Sequence, residues 1–548
     1  MNSEILKGQQ MHTLIDWVCG RYSALFYSFF TTILMGVASA AYFPLIPIFL
    51  IFLSLTLIGI SNFSQKRSNV LANYPLLAYF RFFFENIRPE LRQYFWESDS
   101  DELPYSRIQR SLVYQRSKEL ASVRPFGSQL DMYNEDHEWL NHSISPTHLD
   151  SQDFRVSVGE GDKTYETSIL NISGTSFGAL SPPAIQALNT GANMGGFAHN
   201  TGEGGISPFH LAGHGDLIWQ ISTGYFGCRS KDGRFDPELY KEKSTNNQVK
   251  MIEIKLSQGA KPGHGGMLLG QKVTKRIAEI RGIEVGKDCI SPSYHSEFST
   301  PSGLLDFAEK LKFLSGGKPV GIKLCLGHPW ELAAIVKAMV EKKQYLDFIT
   351  VDGSEGGTGA APLEFTDRLG CPLTDALIYV DNTLIGSGLR NRVKIAASGK
   401  IVSAYDIIRH IALGADWCNM ARPFMFSLGC IQALACASSN CPTGVATMNP
   451  KRYRVLDIEN RAKRVFNFHN NTLHVVKEMI EATGLKHPNE LNRRHIVRRI
   501  SSSKILLADQ LFPKVLPNAL INGEECEDPR LNVYWNRVSS DSFSPKSD

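Results

Sequence analysis

Short apolar runs alternate with helical patterns between residues 168 and 420, and this alternation limits the possible folds more than any other feature of the chain. Eight runs have the length and composition of strands, at residues 168–173, 197–200, 252–256, 288–291, 320–324, 348–351, 393–397 and 417–420. Strands that alternate with helices pair in parallel through right-handed crossovers. Eight such units predict an α/β fold closed into a TIM (β/α)8 barrel rather than an open sheet.

Glycine-rich stretches follow four of these strands. They read GTSFGA at 174–179, NTGEGG at 200–205, QGAKPGHGG at 258–266 and DGSEGGTG at 352–359. The chemistry of a TIM barrel lies at the carboxyl ends of its strands. Glycine lets the backbone approach a ligand closely, and peptide N–H groups can cradle a phosphate. One such stretch is compatible with a plain turn, but four at matching positions predict a large phosphorylated cofactor.

Three cationic or glycine positions at strand ends refine this prediction. Gly399 follows the seventh strand and Arg422 the eighth, where barrels of this type commonly bind phosphate. A surface ion pair is the alternative role for Arg422. Lys323 ends a buried apolar strand and needs a partner, because burying an unpaired charge is costly. The N1–O2 edge of a reduced flavin would supply one, and no GxGxxG fingerprint for a nicotinamide nucleotide stands out.

Three cysteines, Cys430, Cys436 and Cys441, follow the last strand with the spacing C-x5-C-x4-C and are followed by Pro442. Clustered thiols in a chain of this size indicate an iron–sulfur cluster rather than a disulfide. Buried structural thiols are an equally open interpretation, and a three-cysteine zinc site is a weaker third. The other cysteines are scattered singly, which favours a reducing compartment.

Residues 25–60 carry no charged side chain. A bilayer core needs about 20 apolar residues per helix, so this stretch can hold two spans with a turn near Pro44 and Pro47. Arg21, Lys66 and Arg67 flank the hairpin on one side, which predicts that the bulk of the chain faces the cytoplasm. A cleaved signal peptide and a buried hairpin in a soluble fold are the alternatives.

Charge excludes one class of partner. The formal net charge is +4 over 548 residues, and no basic tract with interleaved aromatic residues appears. We therefore expect no binding of nucleic acid.

Six motifs, taken together, resemble a known family. ISGTSFGALSP, NTGEGG, IKLSQGAKPGHGG, ISPSYH, DGSEGGTGAAP and SLGCIQALACASSNCPTGVAT occur in this order between about residues 172 and 450. They resemble the FMN-binding synthase domain of glutamate synthase, in particular the short membrane-anchored proteins of the ferredoxin-dependent type that lack the glutaminase domain. Those proteins also share RPELRQYF, found here at residues 88–95.

The resemblance implies a domain order. We expect an N-terminal cytoplasmic segment at 1–22, a transmembrane hairpin at 23–62, a helical adaptor at 63–160, the FMN-binding barrel with its cysteine loop at 161–450, and a helical extension at 451–548. The expected location is the inner (cytoplasmic) membrane, with the barrel facing the cytoplasm and the hairpin in contact with lipid.

The resemblance also implies the chemistry. Ammonia condenses with 2-oxoglutarate, and reduced FMN converts the imine to L-glutamate with electrons from a [3Fe-4S] cluster fed by ferredoxin or a similar donor. The cluster ligands would be Cys430, Cys436 and Cys441. The flavin contacts would be Thr175, Ser176, Gly178, Lys323, Gly353, Gly356, Gly357, Gly399, Ala421 and Arg422.

The family's substrate residues match Gln258, Lys261 and Arg281, and its acidic site residue matches Glu203. A dicarboxylate needs at least two cations, and an arginine can bind one carboxylate with two parallel hydrogen bonds. Lys261 could bind the C1 carboxylate or protonate the developing amine. Glu203 could orient ammonium or relay a proton.

Departures from the family leave the substrates open. His264 and Met267 stand where the large enzymes have glutamate and glutamine, and Met1 is followed by Asn2 rather than by the nucleophilic cysteine of a glutaminase domain. We therefore expect free ammonia, ammonia from another subunit, or a small amine. An N-methylglutamate-synthase-like amine transfer, a flavin-loaded membrane interaction protein with little catalysis, and a flavin-free barrel for a sugar phosphate are the alternatives.

Overall fold

The computed structural model describes residues 17–65, 67–100, 103–120, 123 and 125–546. The chain divides into two compact units, Met1–Ser98 and Asp99–Asp548. The finer domain boundaries expected from the sequence stay a prediction.

The described residues of the second unit form four sheets. Its strands, in chain order, are β1 Glu138–Leu140, β2 Arg155–Val158, β3 Tyr165–Ser168, β4 Leu170–Ile172, β5 His199–Asn200, β6 Leu217–Ile221, β7 Val249–Lys255, β8 Met267–Leu268, β9 Cys289–Ile290, β10 Val320–Leu324, β11 Phe348–Asp352, β12 Lys394–Ser398, β13 Trp417–Met420, β14 Ile496–Arg499 and β15 Ile505–Leu507. Eight of them, β4, β5, β6, β7, β10, β11, β12 and β13, form a closed parallel barrel in that order. The predicted TIM-type barrel is therefore confirmed.

Every residue of β6, β10, β11 and β13 is buried. Strands of a parallel barrel are covered by side chains on the inside and by helices on the outside, so their sequences are apolar almost throughout. This explains why VGIKL and FITVD could be recognised as strands.

One predicted barrel strand is wrong. Residues 288–291 contribute only β9, which pairs with β8 in an antiparallel hairpin outside the barrel, and Ile290 is 64% exposed. The missing member is β6, which was not recognised in the sequence. Only a four-residue helix, Pro208–Leu211, lies between β5 and β6, so the strand–helix alternation is too weak there to be visible.

Helices surround the barrel. In the second unit they are Arg107–Ser117, Pro182–Gly195, Pro208–Leu211, Pro237–Ser244, Lys275–Arg281, Pro301–Leu314, Pro329–Lys342, Leu363–Arg368, Leu373–Gly386, Ala404–Ala412, Arg422–Ser427, Pro450–Tyr453, Ile458–Ala482, Ala508–Leu511, Ala519–Asn522 and Pro529–Tyr534. The C-terminal extension is joined to the segment before the barrel, because β14 pairs with β1. Arg409 on the helix Ala404–Ala412 reinforces this contact by donating to both carboxylate oxygens of Glu138.

The first unit is built on a helical hairpin. Helices Ser23–Ala41 and Ile46–Ser64 are joined by a short turn, Phe43–Leu45, and are followed by Asn69–Asn73 and Ala78–Leu91. The hydroxyls of Ser28 and Thr32 each lie 2.9 Å from the Thr56 hydroxyl, and these contacts pair the two long helices. Both helices are long and apolar enough to cross a membrane, and only 11% of each candidate span is buried. A core helix of a soluble fold would instead be mostly buried.

Close packing between two helices provides a test of the fold. A methyl group added at Gly191 would lie 2.6 Å from the Val465 side chain and 2.7 Å from the Ala462 carbonyl oxygen. Gly191→Ala should gain about 1 kcal/mol in helix propensity but lose about 1–3 kcal/mol to overpacking, so we expect net destabilisation. A lowered midpoint of urea unfolding would report it. Gly327→Ala is the matched control, since a methyl group there meets nothing within 4 Å; equal midpoints for both variants would contradict the packing.

Candidate active site at the carboxyl ends of the barrel strands

A cavity of about 290 Å³ opens at the carboxyl ends of the barrel strands. This volume lies near the lower end of the range for small-molecule sites. Thirteen of the predicted site residues line it: Thr175, Ser176, Glu203, Gln258, Lys323, Gly356, Gly357, Gly399, Ala421, Arg422, Cys430, Cys436 and Cys441. Residues that are far apart in sequence therefore line one cavity, and the barrel topology brings them together.

Four predicted residues do not line this cavity: Gly178, Lys261, Arg281 and Gly353. Arg281 is buried, donates to the Phe177 carbonyl at 3.2 Å and lies 5.0 Å from the ring centre of Phe226. Lys261 is 2% exposed, and burial lowers its pKa although the charge of Glu203 opposes this. Lys261 and Arg281 thus form a positively charged layer behind Glu203.

Glu203 is paired with a lysine that was not among the predicted site residues. Lys255 Nζ lies 2.7 Å from Glu203 Oε2 and also donates to Gln258 Oε1. Burial acts to raise the pKa of Glu203, but the charges of Lys255, Lys261 and Arg281 lower it to about 2. Glu203 is consequently a carboxylate at neutral pH and can accept a hydrogen bond or hold a cation.

A second buried charge pair lies on the neighbouring strands. Lys323 Nζ is 3.4 Å from Asp352 Oδ2, so the lysine has a protein partner as well as access to the cavity. Burial acts to lower the pKa of Lys323, but the nearby carboxylates of Asp352, Glu253 and Glu203 raise it overall. Lys323 is therefore held as a cation that faces the cavity.

Arg422 and Lys400 carry positive charge at another part of the cavity wall. Arg422 makes no ion pair with a carboxylate in the part of the chain that the structure describes, which argues against the surface-pair alternative. Its guanidinium lies 5.9 Å from the ring centre of Tyr105. A methyl group added at Gly357 would overlap that guanidinium, so a side chain at this position would require Arg422 to move. Gly399 has φ +143°, which an L side chain rarely adopts.

The three cysteines reach the cavity on a loop, residues 430–441, with an unusual backbone. Gln432, Leu434 and Ser439 have φ near +60°, in the left-handed region. Each such residue costs roughly 1–2 kcal/mol unless the surroundings hold it. Tyr114 donates to the Cys430 carbonyl at 2.6 Å and Lys272 donates to the Cys436 carbonyl at 3.0 Å. Side chains outside the loop thus hold its shape.

The thiols differ in their surroundings. Burial raises the pKa of Cys430 to about 12 and also raises that of Cys436, where Cys441 adds to the effect. Burial opposes ionisation of Cys441 too, but the Thr443 hydroxyl and three backbone N–H groups lower its pKa below the usual range. Among the described residues, no three His, Cys, Asp or Glu side chains lie close enough together to hold a single metal ion.

Several residues of this site were not predicted from the sequence. Lys255 lies three residues before Gln258 in the IKLSQGAKPGHGG motif, so the spacing K-x2-Q-x2-K at a strand end was a usable signal. Asp352 opens the DGSEGGTG stretch and was passed over for the glycines that follow. Tyr105 lies in a segment with no recognisable pattern, and nothing in the sequence signals it.

The Glu203–Lys255 pair can be tested through stability. Lys255→Met leaves the buried carboxylate of Glu203 without its nearest cation, and we expect a loss of about 2 kcal/mol in the free energy of unfolding, since Lys261 and Arg281 remain. The double variant with Glu203→Gln should recover part of the loss.

The pH dependence follows from the sign of the shift. The pKa of Glu203 in the folded chain lies below its ordinary value of 4.5. The contribution of this ionised carboxylate to the free energy of unfolding is therefore fully present above pH 4.5 and is lost as the pH falls through about 2. Urea titrations at several pH values measure this. Lys287→Met, at an exposed pair with Glu284, is the control and should change little. A Lys255→Met chain as stable as the control would contradict the pairing.

Comparison with known proteins identifies the family of the chain. Residues 128–486, more than half of the chain, match the family model described as the conserved region in glutamate synthase. The chain is 37% identical over 498 residues to the glutamate synthase large subunit-like protein YerD of Bacillus subtilis, covering 83% of this chain and 94% of that protein. It is 32% identical over 366 residues to an archaeal-type glutamate synthase [NADPH] of Thermotoga neapolitana, covering 63% of this chain and 69% of that protein.

Solved structures give only a weak likeness. Mandelate oxidase with benzoyl-formic acid matches at a TM-score of 0.40 and 12% identity, covering 73% of this chain and 90% of that chain, and a likeness at that score carries no argument. The family match and the relatives over most of the chain, by contrast, show that the chain belongs to the glutamate synthase family of oxidoreductases, as a synthase region.

Proposed function

We propose that this chain is an FMN and iron–sulfur glutamate synthase that aminates 2-oxoglutarate reductively with ammonia. The observation that carries the proposal is one cavity whose lining combines the Glu203–Lys255 pair, the cation Arg422 and the three cysteines. A substrate, a phosphorylated cofactor and an electron carrier would thus be in reach of one another.

The residues present fit FMN. Arg422 and Lys400 are cations on one part of the wall, and Gly399 beside them has a backbone conformation that favours glycine. Such a set suits a phosphate monoester. Lys323, held as a cation by Asp352, suits a ring edge that gains negative charge on reduction. Thr175 and Ser176 line the same cavity and supply hydroxyl groups.

The substrate end follows from the charges. Lys255 and Gln258 line the cavity, so they can bind a carboxylate directly, whereas Lys261 and Arg281 lie behind Glu203 and act through it unless the loop around them moves. The ionised Glu203 can hold ammonium near the keto carbon of a dicarboxylate on Lys255. Ammonium must give up a proton before its nitrogen can attack the keto carbon, and the Glu203 carboxylate at the cavity can relay that proton to solvent; attack and loss of water then give the imine.

The cofactors supply the redox chemistry: bound FMN would deliver hydride to the imine carbon, and the cluster would pass single electrons to the flavin. Three thiols that line one cavity are the donor set that a three-iron cluster requires. A multi-iron cluster holds its thiolates farther apart than a single ion does. The absence of a single-ion group among the described residues is thus compatible with the proposal.

The electron donor is proposed to be ferredoxin or a protein like it. The relatives named as NADPH enzymes suggest nicotinamide as the competing source. An N-methylglutamate-synthase-like use of methylamine is the second candidate reaction, because nothing in the cavity's charges distinguishes ammonium from methylammonium.

We also propose that the hairpin Ser23–Ala41 and Ile46–Ser64 anchors the chain in the inner membrane with the barrel in the cytoplasm. Its length, its apolar composition and its low burial support this, and a signal sequence is the alternative. Lipid is then a partner of the first unit.

Spectroscopy tests the cofactors. Anaerobically purified protein should show flavin absorption bands and the electron paramagnetic resonance signal of an oxidised [3Fe-4S] cluster. Cys436→Ser should abolish the cluster signal but keep the flavin, because the proposed phosphate contacts lie on the barrel. Cys526→Ser, a buried thiol outside the cavity, is the control and should keep both. A colourless protein would refute both cofactors.

Turnover tests the reaction. With 2-oxoglutarate, reduced ferredoxin and either ammonia or methylamine, we expect L-glutamate from ammonia at a rate well above formation of N-methylglutamate. Replacing ferredoxin by NADPH alone should stop the reaction, since no nicotinamide fingerprint is present in the sequence. A spectroscopically intact enzyme that forms no glutamate from ammonia would rule out the main proposal, and faster turnover of methylamine would establish the second candidate.

A further inference from the structure

Eight aromatic side chains follow the hairpin within one short segment, and all of them are exposed. They are Tyr79, Phe80, Phe82, Phe83, Phe84, Tyr94, Phe95 and Trp96, with exposed fractions between 38% and 75%. The segment consists of the helix Ala78–Leu91, which continues as a π-helix over Arg92–Trp96. So much contiguous aromatic surface is rare on a soluble protein and marks a site of interaction with protein or membrane.

The helix is amphipathic. Phe80, Phe83, Phe84, Ile87 and Leu91 follow the i, i+3, i+4, i+7, i+11 spacing of one helix face. Charged residues at positions 81, 85, 88 and 92, all arginine except for the glutamate at 85, follow a second line along the helix, and Phe82 and Glu90 lie outside both lines. A helix that combines a strongly apolar face with a charged face lies in the plane of a membrane surface rather than across it, because only one side of it can leave water.

The helix begins beside the end of the second long helix of the hairpin. Asn62, near that end, donates to the Pro75 carbonyl at 2.7 Å and to the Tyr79 hydroxyl at 3.1 Å. Arg21, just before the first long helix, donates to Asn73 at 3.0 Å. The start of the aromatic helix is therefore fixed at the level where the hairpin's flanking polar and charged residues lie.

We infer that the segment Ala78–Trp96, here called the aromatic helix, is an in-plane anchor that lies in the headgroup region of an anionic bilayer. The inference rests on the proposed insertion of the hairpin, with which the aromatic helix is continuous in one compact unit. Tyrosine and tryptophan concentrate at headgroup depth, and phenylalanines enter the acyl boundary. Arg88 can extend to lipid phosphates, and Arg81 can do so when it exchanges its exposed pair with Glu85 for a phosphate.

Trp96 provides the probe. The full chain is inserted into vesicles of phosphatidylcholine and phosphatidylglycerol that carry bromine high or low on the acyl chains. Emission of the Trp96→Phe variant is subtracted from that of the unaltered chain to isolate Trp96. We expect Trp96 emission to be lost mostly with the shallow bromines, and less with the deep ones, because the side chain would lie near the headgroups.

A triple variant and a control separate the aromatic helix from the hairpin. Phe80→Ser, Phe83→Ser and Phe84→Ser together should abolish the quenching of Trp96, while the chain still floats with the vesicles and still forms glutamate. Phe313→Ser, at an 82% exposed phenylalanine on the helix Pro301–Leu314, should leave the quenching unchanged.

The remaining outcomes overturn the inference, and they distinguish failure of the aromatic helix as an anchor from failure of the hairpin as an anchor. Trp96 that is unquenched by bromolipid in a chain that floats rules out the in-plane anchor and leaves the hairpin in place. Trp96 shielded from both bromolipid and soluble acrylamide shows that a protein surface, such as a second copy, covers the helix. A chain that does not float rules out both anchors. Glutamate formation in the assay above is measured separately and is independent of all three.

Discussion

A closed parallel barrel buries its strands on both sides, so any charged side chain that points inward must find its partner inside. Glu253 on β7 meets this requirement by accepting hydrogen bonds from Asn200, Gln220 and Thr350 at 2.6–2.8 Å. These partners lie on β5, β6 and β11, so one carboxylate links four strands. The arrangement also reaches the cavity, because the charges of Asp352 and Glu253 help to hold Lys323 there as a cation.

The fold could be predicted from the sequence where burial and length leave no choice. The runs at 320–324 and 417–420 coincide with β10 and β13, because each is a short, mostly apolar run between helices, with Lys323 and Asn419 as its single polar residue. The strand β6, LIWQI, was missed because glycines and a short helix replace the usual crossover before it. Its polar residue Gln220 is also an inner partner of Glu253, a three-dimensional relationship that no local pattern encodes.

The location of a site residue was predictable where the residue follows directly on a recognised strand, and unpredictable where it acts through a neighbour. Arg422 and the cysteines are rare groups at a strand end, and the structure brings them to one cavity. Arg281 was chosen by resemblance, yet its guanidinium lies against Phe177 and Phe226 behind Glu203. The partner that reaches the cavity is Lys255. Loop geometry decides which of several nearby cations faces the cavity. The spacing of these residues in the sequence does not reveal that geometry.

The ion pair at the substrate end also suggests an order of events for the proposed reaction. A dicarboxylate that binds Lys255 competes with Glu203 for the charged side-chain nitrogen of that lysine. Lys255 Nζ lies 2.7 Å from Glu203 Oε2. Glu203 would then still interact with the charges of Lys261 and Arg281, but its interaction with Lys255 on the cavity side would weaken. A carboxylate in that state attracts another small cation from the cavity, and ammonium is the one the reaction needs. Binding of the keto acid would thus prepare the ammonium site, which removes the need for a separate residue dedicated to that step.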